Sequence, residues 1–160
     1  VLFRFIEFTQ QILSSFEGEV VIDADALFAL SQVEKNIKPK TANWILTPHP
    51  GELSQLSNGD NNSRINSVKE LAQSLESEIL SKGLPSIVVS PKGQTIFTDY
   101  DTRIFSRAGF GDVLAGKIVG YLLNTNRREL ACCLALSDGK TKAFEYLNTA
   151  IEPLEPMDIV

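Results

Sequence analysis

The stretch Arg107-Ala108-Gly109-Phe110-Gly111-Asp112-Val113-Leu114-Ala115-Gly116 combines a glycine-bracketed turn with a carboxylate. A strand-like run, Arg103 to Ser106, precedes it, and a helical pattern runs on from Val113 to Leu123. A turn of this kind at a helix start leaves backbone N–H groups unpartnered. With the helix dipole they attract an anion. A carboxylate among such donors is suited to taking a proton from a hydroxyl while the N–H groups hold an arriving phosphate. The plainer alternative is a first-turn acid that stabilises the helix, beside glycines that only make the turn.

Three further motifs carry polar chemistry. Asp23 and Asp25 flank Ala24. At a strand end they face opposite ways, so they do not form a paired acid and base. Asp25 can cap the following helix, and Asp23 can approach a substrate or a Mg²⁺-bound water. His49, the single histidine, stands between Pro48 and Pro50. That loop setting favours ligand contact in a cleft over a structural role. Glu52 falls in a first helical turn and complements its dipole. Lys92 beside Gly93 can meet a phosphate or remain a solvated turn lysine.

These residues need a scaffold. Val20-Val21-Ile22, Trp44-Ile45-Leu46 and Ser86 to Ser90 are short apolar runs that read as buried strands. Thr95 to Thr98 and Arg103 to Ser106 read as two more, joined by a polar turn at Asp99 to Thr102. Phe8 to Phe16, Ala24 to Leu30, the segment opened by Pro50, Arg64 to Ser81, Val113 to Leu123 and Arg127 to Leu147 read as helices. In Arg64 to Ser81 the apolar stripe is Ile65, Val68, Leu71, Ala72, Leu75, Ile79 and Leu80. Loops fall between Pro39 and Asn43 and from Ser57 to Asn62, and Glu152 to Val160 reads as an extended tail. Alternating strands and helices predict an α/β fold with a mostly parallel sheet and helices on both faces. Ligands then bind beyond the carboxyl ends of the strands, where all four motifs are expected to meet.

Bulk properties narrow the function classes. The 160 residues are enough for one domain with a sizeable core. A formal net charge of -5 argues against a nucleic-acid-binding surface, which needs clustered Lys and Arg. No apolar segment is long enough to span a membrane. The adjacent Cys132 and Cys133 read as buried small residues in a reducing, cytoplasmic compartment. A structural metal site would need more Cys or His than the sequence has. The first residues, starting at Val1, enter mid-pattern, as in a portion of a domain.

Taken together the motifs resemble the NAD(P)H-hydrate dehydratases. The resemblance rests on Asp23-Ala24-Asp25-Ala26-Leu27, Ile45-Leu46-Thr47-Pro48-His49-Pro50-Gly51-Glu52, Lys92-Gly93 with Thr95, and Gly109-Phe110-Gly111-Asp112-Val113-Leu114-Ala115-Gly116. It runs from about Val20 to the C-terminus. It implies a three-layer ribokinase-like fold, here a single C-terminal portion of that domain. It implies repair of hydrated NADH or NADPH, driven by ADP or ATP with Mg²⁺: the ring hydroxyl is phosphorylated and phosphate leaves as the double bond returns. On the resemblance, Asp112 is the base and contacts substrate, and His49 and Asp23 bind the hydrated cofactor. Lys92, Gly93, Gln94, Thr95, Gly109 and Gly111 bind the nucleotide. A homo-oligomer is expected. The family's nucleotide motif usually has two residues between Lys-Gly and Thr, whereas Lys92-Gly93 and Thr95 are separated by Gln94 alone. Phe110 replaces the small residue usual between the two glycines. The alternatives are a ribokinase-like kinase of a vitamin precursor, which shares Asp112 and the anion turn, and a non-catalytic nucleotide-binding remnant.

Overall fold

The computed structural model describes residues 2–32, 43–57, 63–149 and 152–160. The loop expected after Pro39 and most of the one before Ser63 lie outside them. The described chain forms helix α1 (Leu2–Ser15), strand β1 (Val20–Ile22), α2 (Asp25–Ser31), β2 (Trp44–Leu46), α3 (Pro50–Leu56), α4 (Arg64–Leu75) and β3 (Glu78–Ser81). After these come β4 (Ile87–Val89), β5 (Thr95–Phe97), α5 (Phe110–Thr125) and α6 (Arg128–Thr149). Short 3₁₀ turns cover Thr102–Phe105 and Pro156–Ile159.

The strands lie in chain order, β1-β2-β3-β4-β5. β1, β2 and β3 are parallel; β4 is antiparallel to both β3 and β5. Four strands therefore share one direction and β4 opposes them. The sheet is the middle of three layers. On one face Leu13 of α1, Leu27 of α2, Leu53 of α3 and Val68 of α4 pack on Ile22, Trp44, Leu46, Ile79 and Val89. On the other, Ile118 and Leu122 of α5 and Ala131, Cys132 and Ala135 of α6 cover Ile45, Leu80 and Val88. Alternate strand residues thus feed opposite cores, as the two-residue pleat requires. Burial on both faces is what makes β2 and β4 continuous apolar runs.

Three expectations change. Glu78–Ser81 is a strand, not the last turn of α4. The helix stops at Leu75 because Glu76 takes a left-handed conformation (φ 51°). The run expected as a strand, Arg103 to Ser106, overlaps the 3₁₀ turn, whose start Asp101 caps by accepting from the Arg103 N–H. The C-terminal tail is not extended. It folds back, burying Leu154 and Ile159 with Phe110 and Ala143. Cys132 is buried as expected and Cys133 half-buried, both as free thiols.

Candidate active site

The carboxyl ends of β1, β2 and β3 deliver Asp23, Thr47-Pro48-His49 and Lys82 to one edge of the sheet. The Thr47 N–H donates to the Ile22 carbonyl (3.1 Å), and the Lys82 N–H to that of Pro48 (2.8 Å), so the three strand ends are tied together. Asp23 leads into a tight turn closed by the Ala26 N–H on the Asp23 carbonyl (3.1 Å). Ala24 there takes φ 50° and ψ −126°, a conformation unusual for a residue with a side chain. Asp25 is the first residue of α2; the cap is Ala24.

His49 caps α3. Its Nδ1 accepts from the N–H groups of Gly51 (3.0 Å) and Glu52 (3.2 Å). Glu52 answers by accepting from the His49 N–H (2.7 Å). An acceptor at Nδ1 puts the ring proton on Nε2, which lies 3.3 Å from Glu52 Oε1. The motif thereby acquires a physical reason. Pro50 fits the first turn, and Gly51 leaves room for the folded-back ring, whose Cε1 lies 2.9 Å from where a Cβ would stand.

The Lys82 ammonium pairs with Asp23 (2.7 Å) and lies 3.9 Å from Glu52 Oε2. Opposite is the start of α5. The site of a Cβ on Gly111 lies 3.4 Å from Asp23 Oδ2 and 3.5 Å from Lys82 Nζ, ordinary contact distances that set the start of α5 against this ion pair. Gly109, at φ 94°, makes the turn. The first intrahelical bond is donated by the Val113 N–H (3.1 Å), which leaves those of Phe110, Gly111 and Asp112 ahead of it. Asp112 is exposed, and no hydrogen bond or ion pair joins its carboxylate to another described residue. We expect Gly109→Ala to destabilise the fold by about 1–3 kcal/mol, because the φ is unfavourable and the new methyl meets the Pro156 ring at 2.9 Å. Urea unfolding measures it.

Beside this edge lies a cavity of about 420 Å³. Tyr100, Phe105, Phe110, Leu114 and Leu136 give it apolar walls. Among its lining residues are four cations, Lys82, Arg103, Arg107 and Lys117, and no carboxylate. Each cation is held by an acid from outside the lining: Asp23, Asp101, Glu155 and Asp138 respectively. Burial and the Asp99 charge push the Tyr100 phenol up to about 12, so it stays protonated; it donates to the Leu136 carbonyl (3.1 Å). Phe110, buried, packs inward against Phe105 (5.4 Å between rings) instead of crowding the turn.

At this edge Asp23, His49 and Gly111 come together, with Gly109 and Asp112 beside Gly111 in the chain; of these five, His49 and Gly111 line the cavity, whereas Lys92, Gly93, Gln94 and Thr95 lie at the opposite edge of the sheet. Because β4 runs backwards, its carboxyl end faces the other edge of the sheet. The β4–β5 turn closes there, with Gly93 N–H on the Ser90 carbonyl (2.8 Å) and Val89 paired with Thr95. None of the four residues lines the cavity. The residues missed are Lys82, Gly83 and Ser86, all lining it. Lys82-Gly83-Leu84-Pro85-Ser86 has the two-residue spacing expected of the nucleotide motif, with a hydroxyl at its end.

A family model for NAD(P)H-hydrate dehydratase matches residues 4–151. The chain belongs to the NAD(P)H-hydrate dehydratase family. It is 32% identical over 143 residues to the bifunctional NAD(P)H-hydrate repair enzyme Nnr of Salinibacter ruber, covering 88% of this chain and 26% of that protein. The ADP/ATP-dependent NAD(P)H-hydrate dehydratase of Bacillus subtilis, co-crystallised with ATP/Mg²⁺ and soaked with CoA, superposes with a TM-score of 0.78. It is 26% identical, over 94% of this chain and 57% of the other. A ribokinase-like protein of Enterococcus faecalis shares the fold, with a TM-score of 0.81 at 20% identity over 96% of this chain and 54% of that one. The chain thus spans about a quarter of the bifunctional relative and a little over half of the solved dehydratase. The fold is ribokinase-like. The dehydratase match contains Asp23, His49, Lys82, Gly109 and Asp112; the turn at Pro156–Ile159 lies outside it.

Proposed function

We propose that this chain carries the nucleotide-dependent step that returns hydrated NADH or NADPH to the reduced cofactor. The observation that carries the reading is the cavity whose described lining holds four acid-anchored cations and no carboxylate, together with Phe110 and Gly111 at the start of α5, which has no side-chain cap. Such a site screens a polyphosphate and orients it, which is most of what phosphoryl transfer asks of a protein. The apolar walls suit a nucleobase. Lys82, Gly83 and Ser86 hold the nucleotide phosphates together with Gly109 and Gly111; this assignment replaces Lys92 to Thr95.

Asp112 accepts the proton of the ring hydroxyl as its oxygen bonds to the terminal phosphorus and the shortened nucleotide leaves. Lys82 and the first-turn N–H groups stabilise the charge on the transferred group. Phosphate then departs with the C–O bond, and a proton lost from the neighbouring ring carbon restores the double bond. Asp23, committed to Lys82, positions that cation. His49, exposed and lining the cavity, has its Nε2 beside Glu52 and contacts the substrate from there. Among the described residues no group of three His, Cys, Asp or Glu could cage a metal. Mg²⁺ keeps several waters and needs few protein ligands, so it would arrive on the nucleotide phosphates; Asp112 is the carboxylate at the α5 donors and has no ion pair among the described residues.

A vitamin-precursor kinase would use the α5 turn and Asp112 alike, and the His49 capping of α3 would serve either enzyme, so the reaction product separates the two readings. The test supplies the folded chain with hydrated NADH, ATP or ADP and Mg²⁺, and follows the return of reduced-nicotinamide absorbance. Return is expected; a chain that binds ATP but restores no absorbance overturns the dehydratase reading. The nucleotide assignment is tested separately by calorimetry. Lys82→Met should weaken ATP binding about tenfold or more, as loss of a charge-assisted contact does. Lys92→Met should leave it within about twofold; the reverse pattern would restore the β4–β5 turn as the phosphate loop.

A further inference from the structure

We infer that the C-terminal turn, from Leu154 to Val160, positions the anion-binding start of α5 and so sets how tightly the cavity holds phosphate. The inference rests on the phosphate reading above. Three positions around the turn each meet a part of the tail. Arg107 pairs with Glu155 and reaches the Leu154 carbonyl (3.4 Å). Gly109 lies under the Pro156 ring, with Cγ 2.9 Å and Cβ 3.4 Å from the site of an added Cβ. Phe110 shares a buried cluster with Leu154 and Ile159, and Ile159 also lines the cavity.

The tail is itself braced. The Glu155 N–H donates to Asp158 Oδ2 (2.7 Å) and the Asp158 N–H to the Glu155 carbonyl (3.0 Å). Lys142 of α6 holds the Val160 carbonyl (2.6 Å). This bracing matters because of what it leans on. Gly109, at a positive φ, has no side chain to fix its place, and glycine has the most backbone freedom to lose. Donors that must be ordered by the ligand give weaker binding than donors already aimed. Pro156 and Glu155 supply the missing restraint from outside, so they are positioning residues that touch no substrate.

The test compares wild type with Pro156→Ala and Glu155→Gln, measuring the Kd for ATP and for adenosine by calorimetry and the melting temperature without ligand. Pro156→Ala should weaken ATP binding by about fivefold or more and Glu155→Gln by less, because freeing Arg107 of its acid adds positive charge to the cavity while it loosens the turn; adenosine affinity should be unchanged because neither residue lines the cavity. Melting should move little. ATP affinity within about twofold of wild type in both variants overturns the inference, and so does an equal loss for adenosine, which would mark a change in cavity shape. If Pro156→Ala does not fold, Pro156→Ser decides, since it leaves the Arg107–Glu155 pair and the charge of the cavity as they are. A folded wild type that binds adenosine but gains nothing from the phosphates of ATP overturns instead the phosphate reading underneath.

Discussion

Asp112→Asn is expected to lower the rate of dehydration by about 10²- to 10⁴-fold, the range for loss of a positioned general base. The side chain keeps its shape and its place in the first turn of α5, so the fold has no reason to change. It loses the ability to take a proton. ATP binding should be unchanged or tighter, because the substitution removes a negative charge from a group of donors that attract anions. The opposite sign, weaker ATP binding with unaltered turnover, would make Asp112 a nucleotide ligand and not a base. Turnover within about tenfold of wild type would likewise end the assignment. Asp112 is suited to the test because its carboxylate is exposed and unpaired among the described residues. No internal ion pair is broken along with the catalytic function.

Glu78→Gln should make stability nearly independent of pH where the wild type loses it. Glu78 opens β3 on the face covered by α6, is 4% exposed, and its Oε1 has no hydrogen-bond partner. Burial, and then the Glu129 charge, push its carboxyl from an ordinary 4.5 to about 7, partly offset by Arg128. The folded state therefore holds a proton that the unfolded chain releases. That contribution to stability is whole below about pH 4.5 and fades as pH rises through about 7. A shift of this size corresponds to about 3 kcal/mol. The Gln variant keeps the site neutral throughout. Its advantage over wild type should be small at about pH 4 and approach about 3 kcal/mol at about pH 8, roughly 6–12 °C in melting temperature for a chain of this length. Subtracting the two unfolding curves cancels the other carboxylates. A difference that is the same at both pH values would show that Glu78 stays charged, or stays neutral, across the range.

The α/β class and the helices on both faces were legible because buried strands and amphipathic helices alternate. The direction of each strand was not. Three consecutive apolar residues, such as Ile87-Val88-Val89, look alike run forwards or backwards. That ambiguity sent Lys92 to the wrong edge. The strand Glu78–Ser81 was hidden because Ile79 and Leu80 continue the stripe of α4, while the residue that ends the helix, Glu76, is not one associated with a left-handed stop. Hiding that strand also hid Lys82-Gly83, which then read as a helix end although the spacing to Ser86 was visible. His49 and Asp112 were singled out because their neighbours are informative: prolines restrict one and glycines free the other. The expectation of ligand contact in place of a structural role did not foresee that His49 caps α3. That His49 caps α3 could not be read, since histidine is not a usual cap.

The opposed direction of β4 has one more consequence. It divides the sheet by the length of chain that must close to form it. On one side of β3, hairpin pairs join near neighbours such as Val89 with Thr95. On the other, β1 and β2 join distant ones such as Ile45 with Glu78. Closing long loops costs more chain entropy, and contacts between distant residues form more slowly. Lys82 belongs to the local half, while Asp23 and His49 belong to the non-local half. The ion pair between Lys82 and Asp23 is therefore a join between the two. Loosening β1 and β2 would take the acid from the lysine, so the site's electrostatics depend on the least local strand pairs of the sheet.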